Sequence, residues 1–439
     1  MLVGGSTLLQ IPLSVLIARL LRSLNSTYLP ARRELVLRFS RFISALFSAY
    51  VAFLLLNSTS SPDNRTDNAA STELRAPLPS QKLNPGPFDE PPETPAAWSK
   101  KYITTQNSSR RPELAGKTID LSIFAAVRAL DTVIGGLWAR KKSSPSRPKS
   151  FLSQNTAPVL FCFSAATIMH AWFYSPSRLP QTYNRWISAA AKLDYRLLLV
   201  LRHARYGTFL YGKDTGMAPL LGSLAKDLDL PQEWGDPAKT IPVPCELVHS
   251  GCGPSCEKHA LIRFGRGWLF AAKMYAPIQL LVLARKARFG INQRKGLSRE
   301  AVLRACADVT RSSSFLGAFI GLFYYGVCLS RTRLGPKIFS PKTVTPQGWD
   351  SGLCILAGCL LCGASILVEH QRKRLEILLF VLPRAAATWF PRRYLREHRW
   401  KEHLAFVIST AIVFTTAQEA PERVRGMLGK VLHGILKID

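Results

Sequence analysis

The sequence predicts an all-α, polytopic integral membrane protein built from two similar helical halves, and three observations carry that expectation. The first is composition: 439 residues hold 58 Lys+Arg against 28 Asp+Glu, a formal charge of +30, yet 47% of the chain is hydrophobic and its mean hydropathy is +0.06. That is too apolar for a disordered chain and for an ordinary, highly basic soluble protein. The second is charge placement. Positive charges come in bursts beside long apolar runs, at Arg140-Lys141-Lys142, Arg285-Lys286-Ala287-Arg288 and Arg372-Lys373-Arg374. Such brackets suit anionic lipid headgroups, whereas nucleic-acid binding needs basic side chains on one continuous face. Membrane lipids are therefore the expected partners, and nucleic acid is not. The third is an internal repeat. Val159–Ile168 followed by Ser175-Pro176-Ser177-Arg178 lies over Leu404–Val413 followed by Ala420-Pro421-Glu422-Arg423 without a gap, and at another offset Val127-Arg128-Ala129 falls on Pro383-Arg384-Ala385.

Taken in order, apolar runs predict membrane segments near 42–56, 119–138, 158–174, 267–284, 315–330, 352–368 and 403–418, with weaker ones at 7–22 and 376–390. Most fall short of the roughly 20 residues of a straight span; flanking Arg and Lys that reach for the interface can complete them. The competing reading makes several of them buried helices of a soluble core. Residues 57–117, rich in Pro, Ser, Asn and Thr, read as a disordered polar insertion. The expected domains are thus N-terminal membrane helices at 1–56, the insertion, the rest of the first half at 118–211, a loop-rich connector at 212–266 and a second membrane region at 267–439.

The connector carries the densest chemistry. Cys245, His249, Cys252, Cys256 and His259 follow one another with spacing C-x3-H-x2-C-x3-C-x2-H. Thiolates and imidazoles around a Gly/Pro turn could converge on one tetrahedral Zn²⁺. Two other readings stay open: a disulfide such as Cys245 with Cys256, in an oxidising compartment, and a turn that only caps the next helix. Cys162, Cys328, Cys354, Cys359 and Cys362 stand alone in apolar runs and read as small buried hydrophobes that let helices approach.

Cys245-x3-His249 followed by Pro254-Ser255-Cys256, then Lys273-Met274-Tyr275-Ala276-Pro277, Ser313-Ser314-Phe315-Leu316, Gly358 and Val368-Glu369-His370-Gln371-Arg372-Lys373-Arg374, resembles the transmembrane protein 135 family, also called peroxisomal membrane protein 52. The resemblance covers about 245–395. Cys245, His249 and Cys256 belong to it, whereas Cys252 and His259 do not. It implies a multispanning protein of peroxisomes and mitochondria tied to organelle dynamics and lipid handling, with other organelle membrane proteins as partners and a distant similarity to mitochondrial inner-membrane import-channel proteins. That likeness establishes no catalytic activity, and apart from the possible Zn²⁺ no cofactor is expected.

Charges inside apolar runs are costly and therefore informative. Arg128 and Asp131 stand i and i+3 on one predicted helix and can pair there, or line a polar path between helices. Lys273 lies mid-segment, and Pro277 is expected to break that helix one turn later, leaving a cation that either snorkels or meets an anionic headgroup. Arg384 is the fourth such charge. Gly317 and Gly321 form G-x-x-x-G and, with Gly358, read as close packing within the protein. No G-x-x-x-x-G-K-[ST], H-E-x-x-H or G-x-S-x-G occurs, so the expectation is a non-enzymatic membrane protein, with a transporter or channel for a lipid or small anionic solute as the alternative.

Overall fold

The computed structural model describes residues 19, 30–58, 114–140, 147–292, 299–340 and 342–436. The segment expected at 7–22, apart from Arg19, and the insertion from 59 to 113 lie outside them. In chain order the main helices are α1 (Pro30–Ser58), α2 (Ile119–Arg140), α3 (Arg147–Tyr174), α4 (Gln181–Ala191), α5 (Tyr195–Tyr206), α6 (Ala218–Asp227) and α7 (Cys245–Val248). They continue with α8 (Cys256–Asn292), α9 (Arg299–Cys328), α10 (Cys354–Cys362), α11 (Gln371–Ala387), α12 (Arg399–Glu419) and α13 (Gly426–Leu436). Among the described residues the only strands are β1 (Leu114–Ala115) and β2 (Tyr394–Leu395), paired antiparallel. The fold is all-α. Among the described residues, five helical stretches are long and apolar enough to cross a membrane: Arg38–Ser58, Asn155–Tyr174, Cys256–Arg285, Arg299–Ile338 and Pro346–Val368. The runs expected at 119–138 and 403–418 form α2 and α12, which are not among the five.

The chain divides into two compact units, Met1–Ser144 with Phe390–Asp439, and Pro145–Trp389. The expected boundaries therefore move: 266/267 falls inside α8, and the Cys/His segment lies within the second unit rather than between halves. In the first unit α12 packs on α1 and α2. Phe53 sits at its core beside Phe406, with its ring stacked 4.5 Å from that of His403. Hydroxyl and carboxylate groups join the same helices: Glu402 Oε1 accepts from Thr118 Oγ1 at 2.6 Å and Ser122 Oγ at 3.0 Å. Arg392 closes the strand pair with a two-pronged bond to Asp120 at 3.0 and 2.7 Å.

In the second unit α3 packs on α10 and α11, while α8 and α9 run side by side. Aromatic residues Trp172, Phe173, Phe323 and Tyr324 fill the core together with Cys354, Cys359 and Cys362. Small residues set the helix spacing. A Cβ on Gly317 would come within 2.9 Å of the Phe264 carbonyl, and one on Gly321 within 3.2 Å of the Ala260 carbonyl, so α8 and α9 touch almost backbone to backbone. Gly358 meets α9 in the same way, 2.8 Å from the Phe323 carbonyl.

Two local expectations change. Helix α8 runs through Pro277 without ending; the proline removes one N–H from a helix of 37 residues, which continues on either side. The loop-rich connector holds α6 and shares a small core with α5, in which Leu221, Leu224 and Leu247 are buried together with Leu197, Val200 and Phe209.

The repeat coincides with a local structural likeness. Helices α3 and α12 both end in a Pro-x-Arg 3-10 turn, Pro176–Arg178 and Pro421–Arg423. The preceding residues hold nearly the same backbone angles, φ −141°, ψ 58° at Ser175 and φ −146°, ψ 73° at Ala420. Each unit also pairs its own members of the repeat, α11 on α3 and α2 on α12.

Candidate metal centre

The single turn of α7 places Cys245 and His249 four residues apart, hence on one face. The chain then reverses through Ser250, Gly251 and Gly253, all with positive φ (52°, 79° and 86°), a conformation that glycine adopts without strain. Ser255 caps α8 by accepting the Lys258 N–H at 3.3 Å, which sets Cys256 on the helix's first turn. Turn and cap together bring three ligand atoms, one each from Cys245, His249 and Cys256, within 4.8 Å of one another. This group could hold a metal ion.

The imidazole is oriented from behind. His249 Nδ1 lies 2.7 Å from the Gly253 carbonyl oxygen; a carbonyl can only accept, so Nδ1 carries the proton and Nε2 presents its lone pair. Metal-binding histidines are typically held in this way. The His249 residue is wholly buried, and burial holds its pKa below the usual value, which favours the neutral ring that a ligand needs. Burial pushes the Cys245 thiol up, and the nearby Arg331 guanidinium opposes that rise.

Sequence spacing missed one neighbour and misplaced another. Cys328, the last residue of α9, puts its Sγ 3.4 Å from His249 Nε2, across 79 residues of sequence. It is buried and, although it stands outside the three-residue group, it contacts His249 rather than serving only as the helix spacer that its apolar run implied. Cys252 is buried as well, yet it stands outside the three-residue group. His259 is not in the group either; its ring stacks on that of His249 at 4.4 Å, 16° from parallel. All nine cysteines are free.

One helical turn beyond Cys328 lies a second buried polar cluster. Residues 329–333 and 349–353 each form a π-helical turn, and these turns carry Arg331 and Asp350. Arg331 Nε lies 2.7 Å from Asp350 Oδ1, and Arg331 Nη2 donates to Oδ2 at 2.8 Å, a two-pronged ion pair with both side chains buried. The Tyr211 hydroxyl donates to the same carboxylate and accepts the Val243 N–H at 3.2 Å. Gln347 ties the region down further, accepting from the Tyr211 N–H at 3.0 Å and donating to the Phe209 carbonyl at 2.9 Å. Gly352 has φ +148°, and a Cβ there would meet the Arg205 guanidinium at 2.7 Å, which explains a glycine inside the second π turn. Neither Arg331 nor Asp350 was singled out from the sequence, because each stands at the rim of an apolar run, where a charge reads as an interfacial flank.

The other candidate charges lie elsewhere and do not converge. Arg128 and Asp131 share a face of α2, but both turn to the segment after α12: Arg128 Nη2 donates to the Arg425 carbonyl at 2.6 Å, and Asp131 lies 3.9 Å from the Arg425 guanidinium. Lys273 is exposed on the unbroken α8. Arg384 folds back on its own helix, donating to the Phe380 carbonyl at 2.6 Å and stacking 3.7 Å over the Phe380 ring.

No protein-family model, no curated protein and no solved structure matches this chain.

Proposed function

We propose that this chain is a non-enzymatic, multispanning membrane protein that supports peroxisomal or mitochondrial membrane organisation and lipid handling. One observation carries the membrane reading: in the 30-residue apolar stretch Cys256–Arg285 only 11% of the most apolar window is buried. Leu261, Leu269, Ile278, Leu280 and Leu281 are each more than half exposed along this helix. A soluble protein would aggregate through such a face, whereas hydrocarbon covers it without cost. The organelle and lipid assignment rests on the family resemblance around Cys245, His249 and Cys256. The repeat-bearing pairs α3–α11 and α2–α12 support two related helical halves.

The test is extraction of the tagged full chain from cells. The expected result is retention in the membrane pellet at alkaline pH, release by detergent and co-fractionation with peroxisomal or mitochondrial markers. Release at alkaline pH would overturn the membrane reading, and exclusive co-fractionation with other membranes would overturn the organelle reading. A transporter would instead move solute or lipid across reconstituted vesicles, and that activity would displace the organising role.

A further inference from the structure

We infer that Cys245, His249, Cys256 and Cys328 form a closed Cys3His site for Zn²⁺, in which Cys328 supplies the fourth ligand and staples the connector to the far end of α9. The argument begins with geometry. A tetrahedral zinc with Zn–S near 2.3 Å and Zn–N near 2.0–2.1 Å holds its ligand atoms roughly 3.5–3.8 Å apart. Cys328 Sγ and His249 Nε2 stand 3.4 Å apart, and the ligand atoms of Cys245, His249 and Cys256 are within 4.8 Å of one another, so the four side chains meet around His249 and side-chain rotation can close them on one ion.

The donor set points the same way. Three sulfurs and one neutral imidazole are a soft, nitrogen-tolerant set that favours Zn²⁺ over Mg²⁺ or Ca²⁺. The Gly253 carbonyl already fixes the tautomer in which Nε2 is the free donor. Cys256, Cys328 and His249 are buried and Cys245 is half-buried, which leaves one edge for metal entry. Binding is balanced by proton release: each thiol that ligates gives up its proton to solvent, while the imidazole coordinates without losing one.

Four protein ligands leave no open position for water or substrate, so the site is structural rather than catalytic. Its mechanical role follows from the hairpin. The register that seats Gly317 against Trp268 and Gly321 against Phe264 also sets the first turn of α8 beside the last turn of α9, and zinc would lock that end to the connector. Where the chain spans a membrane as proposed above, this end of the hairpin faces a reducing compartment, because three zinc thiolates do not persist in an oxidising one. The zinc site itself does not depend on the membrane reading, so the two can fail separately.

The experiment is elemental analysis and zinc-edge X-ray absorption on the full chain purified in detergent without chelator, alongside Cys328→Ser and Cys252→Ser. The expected result is about one zinc per chain with three sulfurs and one nitrogen in its shell, retained in Cys252→Ser. Cys328→Ser should weaken zinc binding by more than the roughly 10–100-fold typical of an outer-shell loss. Cobalt substitution of the unmodified chain should give the intense visible bands of a thiolate-rich tetrahedral site. A shell of two sulfurs in the unmodified chain would overturn the assignment of Cys328, whether or not Cys328→Ser folds. Absence of zinc, with two thiols blocked until reductant is added, would overturn the site altogether in favour of a disulfide.

Discussion

The last turn of α9 separates two buried polar clusters whose chemistry could hardly differ more. Around Asp350 opposite charges meet within the protein: Arg331 Nη2 donates to Oδ2, Arg331 Nε lies 2.7 Å from Oδ1, and the Tyr211 hydroxyl donates to the same carboxylate. Around His249 the neighbours are free cysteine thiols, Cys328 Sγ at 3.4 Å from Nε2 with Cys245 and Cys256 close by, a soft set that ligates fully only when its thiols give up their protons to a metal. The comparison teaches that burial alone does not mark a ligand site. A buried ion pair whose charges meet is a fixture of the fold; a buried cluster of thiols around one imidazole is, on the proposal above, a receptor for a soft cation.

The sharpest way to break this contrast is to unmatch the ion pair. Asp350→Ala leaves Arg331 buried without its counter-charge and should destabilise the protein by about 3–5 kcal/mol, whereas Arg331→Met with Asp350→Leu should recover most of that loss; thermal unfolding in detergent reads both. If the single change were as mild as the double, the ion pair would not be the closed unit described. Next in size, a strong zinc chelator should lower the melting temperature of the unmodified chain by several degrees. It should leave the coupling between Arg331 and Asp350 unchanged in a double-mutant cycle. Equal sensitivity of both clusters to chelation would merge them into one site.

A third change tests whether the helix register builds the metal site. Gly317→Val would drive a side chain into the Phe264 carbonyl and Trp268 and should cost about 1–3 kcal/mol by overpacking. Because it displaces α9 along α8, zinc content should fall with it, although no ligand is touched. Zinc retained at full stoichiometry would show that the turn at 249–256 suffices without the hairpin.

The smallest effect is electrostatic. Asp194 caps α5 by accepting the Arg196 N–H at 2.8 Å and pairs with the Arg196 guanidinium at 3.1 Å. Burial works against its charge, but these bonds outweigh it, and its pKa lies below the ordinary value. Its contribution is therefore complete above about pH 4, the unfolded-state value, and disappears as pH falls through the lowered folded value. Asp194→Ala should cost about 1 kcal/mol at neutral pH, and the difference from the unmodified chain should vanish in acid. Neither cluster beside α9 should respond to this change.

Much of the architecture was legible because apolar runs and their basic brackets are local signals: α1, α3, α8 and α9 overlap the segments read from composition. Cys245, His249 and Cys256 were legible for the same reason, as one helical turn and one glycine turn bring them together. Cys328 was not, because a cysteine in an apolar run looks the same whether it spaces helices or faces a histidine 79 residues away. The one available clue was register: a hairpin that begins at Cys256 and ends at Cys328 must bring its two ends together. Pro277 misled because a helix as long as Cys256–Asn292 can lose one backbone hydrogen bond and continue. The folded connector was missed because Met217, Leu221 and Leu224 are sparse in sequence and become a core only when Leu197, Val200 and Phe209 close over them.

The first unit is assembled from both ends of the chain, Met1–Ser144 and Phe390–Asp439, around an uninterrupted second unit. This imposes a timetable on synthesis. Helices α1 and α2 leave the ribosome early, yet the helix on which both pack, α12, ends only at Glu419. The second unit, Pro145–Trp389, is complete before α12 begins. A stalled or truncated chain would thus deliver a finished second unit and two helices still lacking α12, the form that quality-control machinery would meet first.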